Sequence, residues 1–252
     1  MSFRVLFRKT HRWLGLLMAL QIIAWMLSGL WFSLFPIEEI RGEHLTRSAE
    51  PLAVASFAGL ASPEALQRSL DQHFDGQPWA VSSAQWVRQG GQLYWRVGGK
   101  SGGKPFTRLV SAGDARVQPM LSAAKAGQQA QWWLLNPAQA EAIEWVGEGD
   151  AVSEIRGRDM PLWRVRFTQP ESLNLYLDPW TGEIVARRTD RWRVFDFFWM
   201  LHIMDFEERE DFNHPLLQIA AALGLIIALS GVLLWVLTTR LFQRRPSQQA
   251  MP

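Results

Sequence analysis

Five histidines, His11, His44, His73, His202 and His214, stand in a chain of 252 residues that has no cysteine. Without thiols there can be no disulfide, no thiolate zinc site, no iron–sulfur cluster and no Cys nucleophile. Imidazole is then the strongest ligand available for a transition metal or a haem iron. Redox chemistry would have to come from a bound cofactor. Three of the histidines sit at the edges of apolar segments. His11 directly precedes a long apolar run, His214 opens a second one, and His202 lies in an aromatic stretch just before it. His73 falls on a polar helical pattern and is a poor ligand candidate. His44, shortly after the first apolar run, is a weak one.

Glycine spacing adds to the pattern. On a helix at about 100° per residue, Gly15 lies roughly 40° from His11, and Gly29 returns to about 0°. Gly224 and Gly231, seven apart, share a face of the second apolar segment, and Ala220, Gly224 and Ala228 form a small-xxx-small series. Small residues beneath a ligating histidine would let a flat porphyrin approach the backbone. The same series serves plain helix packing, and a lone histidine at a membrane end commonly snorkels into the interface. The sequence leaves both readings open.

The elements that must position these residues are two long apolar runs, 13–35 and 215–237. Each has about 23 residues and would span roughly 34 Å as a helix, enough to cross a bilayer. Polar side chains inside them are few, with Gln21, Ser28, Gln218 and Ser230 the main ones. The first run is too long for the apolar region of a signal peptide, and no A-x-A-like cleavage site follows Phe35, so it reads as an uncleaved anchor. Arg4, Arg8, Lys9 and Arg12 precede it, and Arg240, Arg244 and Arg245 follow the second, with no acid in either end. Those seven cations leave 19 basic against 24 acidic residues in between, a net of −5. Both termini are therefore expected in the cytoplasm and residues of about 36–213 outside, in the periplasm if the cell is Gram-negative. The formal charge of +2 reflects this topology, and no nucleic-acid partner is implied. The 14 tryptophans against two tyrosines suit a membrane interface or a flat-ligand pocket.

The stretch between the spans carries an internal repeat. Leu93-Tyr94-Trp95-Arg96-Val97 matches Pro161-Leu162-Trp163-Arg164-Val165 at an offset of 68, and Leu109 with Leu177 and Val117 with Val185 keep that offset. Each unit reads as a helix followed by antiparallel strands. The first has Ser62 as N-cap, Pro63 in the first turn and a helix to about Phe74, then strands near 83–88, 92–98 and 105–111. The second has a helix near 121–134 and strands near 142–147, 161–168, 172–178 and 183–188. Gly98 to Gly103 reads as a hairpin loop, since it lacks the spacing of a phosphate-binding loop. Residues 190–206 read as an aromatic, amphipathic helix lying along the outer membrane surface. An acidic loop follows it. Asp205, Glu207, Glu208, Glu210 and Asp211 could attract hard Fe(III), although a solvated loop is the better reading. No G-x-S-x-G or H-E-x-x-H motif is present, so no hydrolase site is visible.

Several of these residues resemble one family. Lys9-Thr10-His11-Arg12-Trp13-Leu14-Gly15-Leu16, entering a span, is similar to the opening of the PepSY-associated transmembrane helix family. Leu175-Tyr176-Leu177-Asp178-Pro179-Trp180-Thr181-Gly182-Glu183-Ile184-Val185 resembles the PepSY strand–turn–strand signature. The Leu201-His202 pair, Asn213-His214-Pro215, and Leu229-Ser230-Gly231-Val232-Leu233-Leu234-Trp235 fit the same family. The likeness covers both spans and the second outer unit well, and the first outer unit loosely.

The resemblance implies an α+β membrane protein of the bacterial inner membrane. Its parts would be a basic tail (1–12), a first span (13–35), two tandem PepSY-like units (36–118 and 119–189), an interfacial helix with its acidic loop (190–213), a second span (214–239) and a second basic tail (240–252). Members of this kind include reductases of ferric iron or ferric siderophores with haem b held by histidines. Carried over by position, the haem ligands would be His11, His202 and His214, with Gly15, Gly29, Gly224 and Gly231 lining the cofactor. Longer members have four spans. Two helices can hardly enclose a porphyrin, so a homodimer with a four-helix bundle is expected. A ferrous transporter and an electron donor are conceivable partners, the donor being external because no nucleotide-binding motif is present. The alternative is a non-enzymatic anchor whose outer modules bind a transporter or peptidase.

Overall fold

The computed structural model describes residues 3–52, 59–150 and 152–239. The basic tail at 240–252 therefore lies outside the described residues. In chain order the helices are α1 (Phe3–Leu34), the one-turn α2 (Ile37–Ile40), α3 (Pro63–Phe74), α4 (Ala123–Trp133), α5 (Asp190–Ile203) and α6 (Pro215–Thr238). The strands are β1 (Trp79–Gln89), β2 (Gln92–Ser101), β3 (Lys104–Ser111), β4 (Ala142–Val146), β5 (Leu162–Arg166), β6 (Asn174–Leu177) and β7 (Ile184–Arg188). The chain forms two compact units. One is Pro36–Arg193; the other holds the residues up to Phe35 and from Val194 on.

The Pro36–Arg193 unit is α+β. Helix α3 starts where expected, with the Ser62 hydroxyl accepting the Ala65 N–H and Pro63 in the first turn. It precedes a three-stranded antiparallel sheet, β1-β2-β3. Helix α4, N-capped by Ser122, precedes a four-stranded antiparallel sheet, β4-β5-β6-β7. The offset of 68 is structural. Trp95 on β2 pairs across the sheet with Trp86, and Trp163 on β5 pairs with Trp145. Val97 and Val165, at the same offset, are both fully buried. Where β7 pairs with β6, the first half has, among the described residues, a single Val110–Val117 bridge.

One element differs from expectation. Gly98 and Gly99 are not loop residues; they lie inside β2, and only Gly102 and Gly103 turn the hairpin, both at positive φ. The strand needs glycine at 99 because a Cβ there would sit 2.1 Å from the Ala80 carbonyl oxygen.

In the other unit, α1 and α6 each contain a stretch long and apolar enough to cross a membrane, Val5–Leu34 and Pro215–Val236. Their large apolar side chains face outward, Leu20 at 80% exposure. Helix α5, expected as an interfacial helix, packs against α1. From Val194 it runs antiparallel to α1. Phe195 and Trp199 pack on Phe32, Phe198 on Trp31, and His202 reaches Phe32 and Ser28. Its last turn is level with Gln21 and Trp25. From Phe32 to Gln21 is about 16 Å along a helix axis. The reason lies in composition. Of residues 194–204 only Asp196 and His202 are polar, so the helix is apolar on every side and has no wet face to lay along an interface. Asp196 is matched by an ion pair with Arg209.

Candidate functional site

The polar residues of the long helices lead to the histidines. His11 on α1 has its Nδ1 2.6 Å from the Ser230 hydroxyl on α6. Ser230 donates its own proton to the Ile227 carbonyl at 2.8 Å. With the hydroxyl proton placed there, the oxygen is an acceptor toward the ring, which matches the tautomer carrying its proton on Nδ1. His202 on α5 repeats the arrangement. Its Nδ1 lies 2.7 Å from the hydroxyl of Ser28, which donates to Ala24 O at 2.8 Å. Both serines make the backward bond to their own helix that hydroxyls adopt in apolar surroundings. In that tautomer each imidazole would ligate a metal through Nε2, with the other nitrogen oriented by its serine contact.

Two further side chains complete the His202 corner. The Gln21 amide donates to Leu201 O at 3.0 Å, and the Trp25 indole donates to His202 O at 2.8 Å. A helix leaves its last carbonyls without partners, and in apolar surroundings those must be satisfied. Here α1 supplies the donors. Sequence reasoning noted Gln21, Ser28 and Ser230 as exceptions in apolar runs but gave them no role. Their scarcity was the available signal, because a polar group inside a span is expensive unless it has a partner.

The glycines divide into two pairs. A Cβ on Gly231 would come 3.3 Å from His11 Cε1, and one on Gly224 would come 3.7 Å from the Trp25 ring. The space these glycines leave is filled by side chains of α1, so they do not leave room for a flat cofactor. Gly15 and Gly29 have nothing within 4 Å of a Cβ position.

His214 precedes α6 at its N-cap, and its Nδ1 is buried with no hydrogen-bond partner among the described residues. The three ligand candidates do not converge. His11 and Ser28, which holds His202, are 17 residues apart on α1, about 25 Å along the axis. Two axial nitrogens on one iron lie only about 4 Å apart, from metal–nitrogen bonds near 2 Å. Within one chain, His11 and His202 cannot serve the same metal. No group of three or more His, Asp or Glu side chains able to hold a metal occurs among the described residues.

That result also bears on the acidic loop. Asp205 does not offer its carboxylate outward. One oxygen accepts the N–H groups of Glu207 and Glu208 and the other those of Glu210 and Asp211, at 3.0–3.2 Å. Asp211 in turn accepts the Asn213 N–H. The run thus organises its own turn after α5, and its five carboxylates do not gather into an Fe(III) site. His44 faces Glu171 at 3.4 Å. His73 accepts the Arg108 Nε–H at 3.2 Å; burial and the Arg108 charge keep its pKa below the ordinary imidazole range. Neither stands as a free ligand.

In the Pro36–Arg193 unit, the turn Asp178 to Glu183 joins the two sheets. Asp178 accepts the N–H groups of Trp180 and Thr181, and the Trp133 indole donates to Gly182 O at 2.8 Å. Glu183 pairs with Arg96 of β2, and Arg108 of β3 stacks 3.7 Å over Trp180. Glu154 anchors the entry to α5. It accepts from Asn174, Tyr176 and Arg193 at 2.7–2.8 Å. Burial alone would raise its pKa, but these three donors outweigh burial and hold it below the usual value.

A family model described as PepSY-associated TM region matches residues 8–251. No curated protein and no solved structure matches the chain.

Proposed function

We infer the function from one premise: the chain belongs to the PepSY-associated TM region family. On that premise we propose a membrane-anchored electron carrier. Haem b would be held by histidines of a homodimeric four-helix bundle, with both termini cytoplasmic. The Pro36–Arg193 unit would lie in the periplasm as two tandem PepSY-like modules. The acceptor would be ferric iron or a ferric siderophore, and the role would be iron uptake.

The observation that carries this reading is the pair of serine-held imidazoles. Ser230 and Ser28 fix Nδ1–H of His11 and His202 and leave Nε2 as the donor atom. Bound haem would supply one-electron transfer. Gln21 and Trp25 hold the end of α5, and with it the His202 backbone, in place. The roughly 25 Å between the two histidines along α1 favours two separate sites, each taking its second ligand from His214 or from the partner copy. The burial and unpaired Nδ1 of His214 are compatible with such a role.

The test is an optical spectrum of the detergent-purified chain, oxidised and then reduced with dithionite. Sharp reduced α and β bands are the expected result. His11→Ala and His202→Ala should each remove part of the haem. Colourless protein after expression with ample haem would sink the proposal and leave a membrane anchor for partner-binding modules.

A further inference from the structure

A cleft of about 360 Å³ opens in the Pro36–Arg193 unit, where the β1–β2 hairpin tip, α4 and the turn at Trp180 and Thr181 meet. Its chemistry is unusual for so charged a unit. Five glutamines line it, Gln89, Gln128 and Gln129 among them, and Lys125 is its one charged side chain. Tyr94, Trp132 and Trp180 supply aromatic surface. The volume falls within the range of small-molecule sites.

The glutamines are brought together by the fold. Gly182 sits at φ +68°, and a Cβ there would lie 3.0 Å from Gln129 Cγ and 3.2 Å from Gln89 Nε2. The bare backbone lets two amides close over the turn. Gln129 Nε2 is buried and has no hydrogen-bond partner among the described residues. A buried amide donor without an acceptor is costly.

We propose that this cleft binds a neutral, N-acetylated saccharide. A side-chain amide carries both donors and an acceptor, so it can pair with a sugar hydroxyl or an acetamido group with no charge to neutralise. Flat aromatic surface takes the apolar face of a pyranose ring. An acidic ligand would need more than Lys125. A peptide added as a strand would need a free edge, and the β3 edge at Leu109 already accepts the Gln118 N–H at 2.8 Å. The inference does not depend on the haem proposal.

The test is calorimetric titration of the full chain with chitotriose, in a zwitterionic detergent because maltosides present a competing neutral sugar. Chitotriose binds with a sub-millimolar Kd, and Trp132→Ala and Gln129→Leu each weaken it at least about tenfold. Gln128→Ala, at an exposed lining position, weakens it without altering the thermal unfolding transition. No binding at about 10 mM chitotriose overturns the proposal. So does binding that none of the three variants changes, or binding of trialanine in place of the sugar.

Discussion

Replacing Ser28 with alanine isolates the hydrogen bond that sets the His202 tautomer. Ser28 is fully buried, and its oxygen lies 2.7 Å from His202 Nδ1. Alanine leaves that N–H unpaired in an apolar setting, at about 1–3 kcal/mol. It also frees the ring to rotate. Loss of a hydrogen bond to a metal-bound histidine commonly costs about 10–100-fold in metal affinity. At 1.4 kcal/mol per tenfold, that is about 1.4–2.8 kcal/mol, and the two routes agree. The assay is haem transfer from the purified protein to an excess of apomyoglobin, followed at the Soret band. Ser28→Ala should release the haem proposed at His202 about 10–100 times faster than wild type. Ser33→Ala is the control, since Ser33 is exposed and bonds its own Leu30 carbonyl. If Ser28→Ala holds haem as tightly as Ser33→Ala while His202→Ala loses it, the orienting role of Ser28 is refuted.

Gly231→Ala should displace the His11 ring from Ser230, because the new methyl lies 3.3 Å from Cε1. Gly224→Ala, at 3.7 Å from Trp25, should be tolerated, and the reduced haem spectrum separates the two. Glu154→Gln should lower stability by about 2 kcal/mol through the lost charge-assisted bond to Arg193, a Tm drop of about 4–8 °C. The pH dependence has a definite sign. Glu154 titrates below its ordinary 4.5 in the fold, so its contribution is present above that pH and lost as pH falls through the lower folded value. Urea titrations at pH 7 and pH 3.5 should show the variant deficit at the first and a smaller one at the second.

Much of the fold was legible because local rules decided it. The spans followed from length and composition, α3 from Ser62 and Pro63, and the tandem sheets from an offset carried by Trp95 and Trp163. The packing of α5 on α1 was not legible, because Asp190, Arg191 and Arg193 lend polarity to its first turn only. Those residues serve Ser172, Glu39 and Glu154, and everything after them except Asp196 and His202 is apolar to Met204. The acidic loop's own organisation was not legible either. A count of carboxylates does not reveal that Asp205 is occupied by the N–H groups of its own loop. Glycine periodicity left open whether a cofactor or a neighbouring side chain covers each face, and it cannot say which side chain fills a gap. On α6 the answer was His11 and Trp25.

The docking of α5 shows what the few polar residues of an apolar helix encode. Gln21, Trp25, Ser28 and Phe32 follow one another at steps of four, three and four, which is one face of α1. All four meet α5, and each meets a different part of it: a carbonyl at Leu201, a carbonyl at His202, the His202 ring edge and the aromatic stack at Phe195 and Trp199. An apolar face alone would hold α5 through packing but would leave its rotation weakly specified, since the helix is apolar on all sides. The three polar contacts select one rotation, the one that sets His202 Nδ1 against Ser28. Trp25 also fills the space over Gly224, so the side chain that receives the end of α5 packs against α6 as well. The His202 setting is therefore shared by three helices.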